Sequence, residues 1–487
     1  MSNTVVSDVI IVGAGLSGVA AGCRLRQLCP DQTFIILEAR NASGGTWDQF
    51  RFPGVRSDSD MHTLGYSFKP WTESRSIVDG ESILRYIRET AEQFDITKNM
   101  HFNQRVVRAD WDSSLCRWNL TVKNTLFGTV ETMSCRFFYV CAGFFNHDSC
   151  YSPQFEGLEE FQGQIAYPQF WPQDLDYKNK RVVVVGSGAT AMTIVPELAR
   201  HAKSVVMLQR SPTYVMSRRE FDPLARLFFR FLPDGPAFRI IRWKNASVHR
   251  AIYQISRRFP RLMRYLFIRN VRKKLRADFD WSNHFKPNYD PWDQRLCIVP
   301  DNNLFNTINS RSVDVVTDRI SSFDKEGLVL ASGNRLPAEI VVLATGLEMS
   351  MLGKINLYLD GNPVDLAQTW TYKGFAFSDI PNLASSNGYV NASFGIRASM
   401  TSVYLCRILN HMQATSSRVC IPRLRQSDLD MVKTSSASGF NPSYFQRAAH
   451  LFPKEGDRDP WMNVQDYRHD RKAFLHSPVE DGVLEFN

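Results

Sequence analysis

The sequence predicts an α/β fold: two Rossmann-like dinucleotide-binding domains, the second interrupted by a helical insertion. Three observations predict it. A strand–glycine turn–helix–strand unit opens the chain, and a second such unit begins roughly 170 residues later. The residues after that second unit turn abruptly basic and aromatic. The chain has 487 residues, 44 % hydrophobic and 22 % charged, which excludes wholesale disorder, collagen-like repeats and a small disulfide-stapled scaffold. No run of about 18 uncharged apolar residues is present, so no spanning helix is expected. The first 23 residues carry no Lys or Arg, so neither a signal-peptide n-region nor an Arg-rich transit peptide is read there. The nine cysteines include no C-x-x-C pair; reduced thiols are expected, and no metal site.

The elements follow in order. Residues 8–12 form an apolar strand that runs into Gly13, Gly15 and Gly18. A helix covers 19–28, and a strand over 34–37 ends at Glu38. A loop rich in Gly, Ser, Asp and Pro runs over 40–69. Apolar residues at Ile83, Ile87, Ala91 and Phe94 mark a helix. Alternating strands follow at 106–111 and 118–122, and an apolar strand, 137–141, ends in Ala142-Gly143. The second unit repeats the pattern: strand 181–185, Gly186 and Gly188 in the turn, a helix over 191–199 starting at Ala191, then strand 204–208 leading to Gln209-Arg210-Ser211. Residues 313–330 are β-rich, and strand 339–343 runs into Ala344-Thr345-Gly346. Both strand-end turns read as crossings between domains. The expected division is 1–145 with 376–487 for a discontinuous first domain and tail, 151–217 with 291–375 for the second domain, and 218–290 for the insertion.

In Gly13-x-Gly15-x-x-Gly18 the first glycine allows a tight turn. The second lets backbone approach a pyrophosphate, and the third lets helix and strand pack closely. The pyrophosphate then sits on a helix N-terminus. Glu38 at the second strand's end can accept a bond from a ribose 2′-OH, so this site suits an unphosphorylated adenosine, FAD or NAD. Gly186-x-Gly188-x-x-Ala191 has the same context, but its second strand ends in Arg210 and Ser211. Those residues suit a 2′-phosphate, hence NADPH.

After the first unit, disulfide reductases need a redox cysteine pair. The stretch from Gly44 to Asp58 contains no Cys, so oxygen is the remaining common outlet for electrons. Gly44-Gly45-Thr46-Trp47 and Phe52-Pro53-Gly54-x-Arg56-x-Asp58 resemble class B flavin monooxygenases of the Baeyer–Villiger type, and the resemblance covers nearly the whole chain. Residues 161–172 are similar to that family's F-x-G-x-x-x-H-x-x-x-W-P fingerprint, with Tyr167 in place of His. The stretches 56–61, 209–214, 291–297 and 388–393 resemble the branch of ethionamide-activating and long-chain-alkane-associated monooxygenases. Gln294 stands where many members have Lys.

The resemblance implies FAD and NADPH as cofactors, and oxygen insertion from O₂ next to the carbonyl of a small hydrophobic ketone. It implies that Arg295 stabilises developing oxyanion charge, that Asp58 orients Arg295 beside the flavin, and that Thr46 and Trp47 line the flavin. Taken alone, Asp58 and Arg295 also fit an interdomain ion pair, and Trp47 a core aromatic. Two other activities stay open: S- or N-oxygenation of a heteroatom substrate, and, because of Tyr167, an NADPH oxidase releasing H₂O₂.

Residues 218–276 hold seventeen Lys and Arg against three acids (Glu220, Asp222, Asp234), so one segment contains the whole basic excess of a chain with net charge +9. Ten aromatics are interleaved. Helical pieces are expected at 223–232, 247–259 and 260–276, the last with Pro at a first-turn position. On that piece Leu262, Leu266, Val271 and Leu275 are expected to form one apolar face. Two roles fit. The apolar faces pack on the NADPH domain with the charges solvated, or the segment docks on an anionic membrane surface. No nucleic-acid-binding motif accompanies the charge, so nucleic acid is not an expected partner. The expected setting is cytoplasmic, with peripheral attachment to a membrane through 218–276 if the second role holds.

Overall fold

In the computed structural model, residues 5–434 and 442–487 are described. Strand β1 (Val5–Val12) lies inside a nine-stranded sheet. It pairs in parallel with β2 (Phe34–Leu37) on one side and β3 (Val130–Val140) on the other. Val9, Ile10 and Ile11 are all fully buried, which is why the strand reads as a continuous apolar run. The glycine turn leads into helix α1 (Leu16–Leu28). The first half of β3 is antiparallel to Arg117–Asn124; its end lies between β1 and Leu383–Ser385. Strand Asn356–Leu359 joins the same sheet beside Gln104–Asp112. The chain thus leaves this sheet, builds a second one, and returns.

The second sheet is five-stranded. Strands β4 (Arg181–Val185), β5 (Ser204–Gln209) and β6 (Ile340–Leu343) pair in parallel with one another and with Val313–Thr317 and Gln164–Ala166. Helix α2 (Ala189–Leu198) follows β4.

After the second unit, the chain forms three helices: α3 (Pro223–Phe231), α4 (Asp234–Arg258) and α5 (Pro260–Arg272). Asp222 caps α3 by accepting from the backbone of Leu224 and Ala225. Helix α4 starts well before 247, because Gly235 and Pro236 sit in its first turn, where a missing N–H costs little. The expected single apolar face of the last piece is not formed. At about 100° per residue, position 271 lies opposite position 262. Val271 and Leu275 are buried against the second domain's core, whereas Leu262 and Leu266 are exposed. The insertion leaves and returns through a parallel strand pair, Val215–Arg218 with Cys297–Pro300.

The C-terminal residues are tied to the first domain by a buried ion pair. Arg397, on the buried helix Phe394–Ala414, lies 3.1 Å from Asp470, which also accepts from the Tyr389 hydroxyl. Among the described residues no helix is long and apolar enough to cross a membrane.

Candidate functional site

The two glycine turns are made the same way. Gly13 has φ +98°, and a Cβ there would lie 2.6 Å from the Cys141 carbonyl oxygen, just past β3. Gly186 has φ +148°, and its Cβ would lie 2.4 Å from the Ala344 oxygen, just past β6. Only glycine turns that tightly against a returning strand. Gly18 lies behind its turn, where a Cβ would meet the Gly13 oxygen at 1.8 Å. Ala191 is fully buried in the core behind the second turn.

Helices α1 and α2 begin at Gly15 and Gly188 with no side-chain cap and no acid in the first turn. Their leading N–H groups are left for another acceptor, and the helix dipole favours an anion there. A Cβ at Gly188 would meet nothing within 4 Å, so space lies open over the second turn. These features fit dinucleotide pyrophosphates. Glu38 is buried and accepts from the Ala14 and Arg40 backbone N–H groups at 2.7 and 2.9 Å. Burial raises its pKa, and those two hydrogen bonds offset part of the rise. Each carboxylate oxygen keeps a lone pair for a ribose hydroxyl. Arg210 and Ser211 are exposed past the end of β5, and Arg210 has no carboxylate partner among the described residues.

A cavity of about 550 Å³ opens over the first turn and reaches the second unit. Its wall includes Gly13, Gly15, Glu38, Thr46, Trp47, Asp58 and Arg295, together with Ala189 and Thr193 of α2. Seven sequence-predicted residues therefore meet at one cavity. Gly18, Gly186, Gly188, Ala191, Arg210 and Ser211 do not line it.

Arg295 sits at the end of the strand pair that closes the insertion. The preceding turn has a bridge between Pro291 and Gln294 and places Trp292 at φ +74°. A bulky side chain in that region costs about 1–3 kcal/mol, held here by surrounding packing. The Trp292 ring packs edge-on against Tyr253 of α4 at 5.4 Å, and Asp293 pairs with Arg257 of α4 at 2.7 Å. Arg295 Nε lies 3.9 Å from Asp58 Oδ2, an ion pair longer than a hydrogen bond. Tyr444 is a second neighbour that favours the charge on this guanidinium. Partial burial opposes the charge on Arg295, but Asp58 and Tyr444 outweigh it and its pKa sits above the usual value. Arg295 is half exposed, and it lines the cavity wall.

Two neighbours of Asp58 received no role from the sequence. Tyr444 comes from the C-terminal region, where no periodic pattern marks it. Arg56 has Nε and Nη2 buried without a hydrogen-bond partner. Burial lowers its pKa, and Asp58 restores part of it. An orphaned cation in the wall calls for an anionic or carbonyl-bearing ligand. Tyr167 bonds the Ser152 hydroxyl at 2.9 Å.

A family model described as flavin-binding monooxygenase-like matches residues 7–225. The chain is 43 % identical over 480 residues to the FAD-containing monooxygenase EthA of Mycobacterium tuberculosis, covering 98 % of this chain and 97 % of that protein. It is 40 % identical over 483 residues to the probable FAD-binding monooxygenase AlmA of Acinetobacter baylyi, covering 99 % and 96 %. Among solved structures, an oxidized steroid monooxygenase bound to NADP superposes with a TM-score of 0.79 at 22 % identity, over 99 % of both chains. An open crystal structure of cyclohexanone monooxygenase gives 0.78 at 17 % identity, over 99 % of this chain and all of that one.

Proposed function

The chain belongs to the family of FAD-containing monooxygenases, and from that premise we propose an NADPH- and O₂-dependent Baeyer–Villiger enzyme. It inserts one oxygen next to the carbonyl of a small hydrophobic ketone, giving an ester or lactone. The observation that supports this most directly is Arg295: a permanently charged guanidinium, backed by Asp58 and Tyr444, facing a cavity. When bound, the flavin supplies hydride acceptance and oxygen activation, and NADPH supplies the hydride.

The protein's own residues bind, orient and stabilise charge. Gly13, Gly15 and Gly18 with Glu38 hold the FAD dinucleotide, and Thr46 and Trp47 lie along the flavin. Gly186, Gly188 and Ala191 shape the NADPH turn, and Arg210 and Ser211 take the 2′-phosphate. Arg295 stabilises the oxyanion that forms when the ketone carbonyl is attacked, and Asp58 keeps the guanidinium near that point. We read residues 1–145 and 376–487 as the FAD domain and 151–217 with 291–375 as the NADPH domain, except that the expected boundary at 375 falls too late, because strand Asn356–Leu359 already pairs in the FAD domain's sheet. All nine cysteines are free, and we place the enzyme in the cytoplasm, attached peripherally to a membrane.

Product analysis by mass spectrometry, using labelled O₂, NADPH and a panel of ketones, sulfides and amines, tests this. Esters or lactones carrying one labelled oxygen are expected. Sulfoxides or N-oxides alone would assign heteroatom oxygenation, and H₂O₂ alone an oxidase.

Coenzyme choice is a separate expectation. Arg210→Ala should cut the advantage of NADPH over NADH in kcat/KM by about tenfold or more, because charge-assisted bonds to the 2′-phosphate are lost. Equal use of both coenzymes by the unaltered enzyme would contradict the assignment.

A further inference from the structure

The structure assigns the insertion a docking role: the exposed faces of α3, α4 and α5 seat the protein on an anionic lipid bilayer. Twenty-one large apolar side chains are exposed among the described residues, and twelve of them lie between Phe221 and Leu266, under a tenth of the chain. They recur at helical spacing: Leu224, Leu227 and Phe231 on α3, Ile240 and Trp243 on α4, and Leu262, Tyr265 and Leu266 on α5. Phe231 is 70 % exposed and Trp243 58 %.

These are not the faces that hold the insertion to the protein. Ala225, Ala237 and Ile241 join α3 to α4. Phe267 and Val271 bury the other side of α5. Arg242 of α4 donates to the carbonyls of His62, Thr63 and Gly65, and Asn245 donates to Asp60. The packing role is filled by one set of side chains, and a second apolar set remains in water.

Charge identifies what covers that second set. Between 223 and 272 the sole acid is Asp234. Several basic residues are used internally, Lys244 with Asp222 and Arg250 with Asp466 among them. Arg226, Arg230, Arg239, Arg258, Arg261 and Arg269 are exposed with no carboxylate partner among the described residues. An anionic lipid surface satisfies both halves of this pattern, phosphates for arginine and acyl boundary for Leu, Ile and Trp. A second copy of the chain would bring like charge to like charge. Nucleic acid would neutralise the arginines but leave the aliphatic side chains without a stacking partner.

Helix α4 also touches the turn before Arg295, through Tyr253 and Arg257. One helix, α4, therefore carries part of the docking face and also contacts the turn that aims the guanidinium. This deepens the proposed function by placing a hydrophobic substrate's source beside the site. It rests on that reading only for its purpose, since vesicle binding is measured without turnover.

The test is sedimentation of the intact protein with phosphatidylcholine vesicles, with and without phosphatidylglycerol. Binding is expected only with phosphatidylglycerol, and it should fall away as salt is raised to about 0.5 M. A variant with Arg226, Arg230, Arg258, Arg261 and Arg269 all changed to Gln should bind about a hundredfold more weakly or worse. Phe231→Ser with Trp243→Ser and Leu262→Ser should weaken binding about tenfold or more while NADPH consumption in solution is unchanged. No sedimentation of the unaltered protein at low salt overturns the proposal, whatever the variants do. So does equal binding to neutral vesicles. Tight duplex-DNA binding that survives the three apolar changes would assign the face to nucleic acid instead.

Discussion

Arg295→Ala is expected to cut oxygenated product by about 10²–10³-fold while the bound flavin is still reduced by NADPH at close to the normal rate. The asymmetry follows from where the charge is needed. Hydride transfer creates no new oxyanion near the guanidinium. Attack on a carbonyl does, and a fixed cation facing a cavity stabilises that charge without having to reorganise. Asp58 at 3.9 Å and the neighbouring Tyr444 favour the charged form of the guanidinium. Arg295→Lys keeps a charge but loses the planar fork that faces Asp58, so it should recover only part of the loss. Anaerobic stopped-flow reading of flavin bleaching separates reduction from oxygenation, and product is counted by mass spectrometry. Product near the normal level in Arg295→Ala would remove the residue from the chemistry. A matching loss of flavin reduction would make it a coenzyme-binding residue.

The fold was legible because its signals are local. A glycine turn needs glycine for reasons of backbone geometry, and the strands flanking it are buried on both faces, so their apolar runs stand out. The sign at the end of the second strand, Glu38 against Arg210, is equally local. Asp58 and Arg295 could be paired only through the family resemblance, because spacing gives no hint that residues so far apart share one cavity. Tyr444 is a further step removed: a tyrosine in an aperiodic region has no pattern to mark it. Arg56 was visible as part of a motif, but its two unpartnered nitrogens exist only once the wall around them is built.

The insertion shows the opposite limit. Its composition was plain, yet the direction of its faces was not. Two apolar stripes on one helix read as a single stripe when the angle between 262 and 271 is not worked out. Even a correct stripe does not say whether it points to protein or to water. The answer depended on which side chains the rest of the fold had already covered: Phe267 and Val271 inward, Leu262 and Leu266 outward.

Asp60→Ala is expected to cost about 3–5 kcal/mol of stability, the largest structural effect of any single change here, because it leaves buried partners unpaired. Asp60 is fully buried. It caps the short helix Met61–Leu64 by accepting from the Thr63 backbone at 3.0 Å, and it accepts from Asn245 of the insertion at 2.8 Å. His249 and His62 lie 3.7 and 3.9 Å from it. Burial opposes its charge, but His249, Arg218, His62 and the Asn245 bond outweigh that and keep its pKa below the usual carboxylate range. Burial lowers both histidine pKa values, with Asp60 offsetting part of the drop. The signs add. The unfolded chain takes up histidine protons below a pH of about 6.5 that the folded protein refuses, so stability falls with acidification. Asp60 contributes further loss at lower pH, as it is protonated more readily unfolded than folded. Removing it strips the histidines of the carboxylate that favours their charged forms. The acid-side fall in the variant should therefore be steeper between pH about 6.5 and 5. Asp60 is two residues from Asp58, and the helix it caps offers its carbonyls to Arg242. Its loss should loosen the insertion and the Asp58 loop together. Thermal midpoints across pH, with flavin retention read in parallel, check this. A variant that melts like the unaltered protein and keeps its flavin would show that the insertion is held by Arg242 and packing without the buried carboxylate.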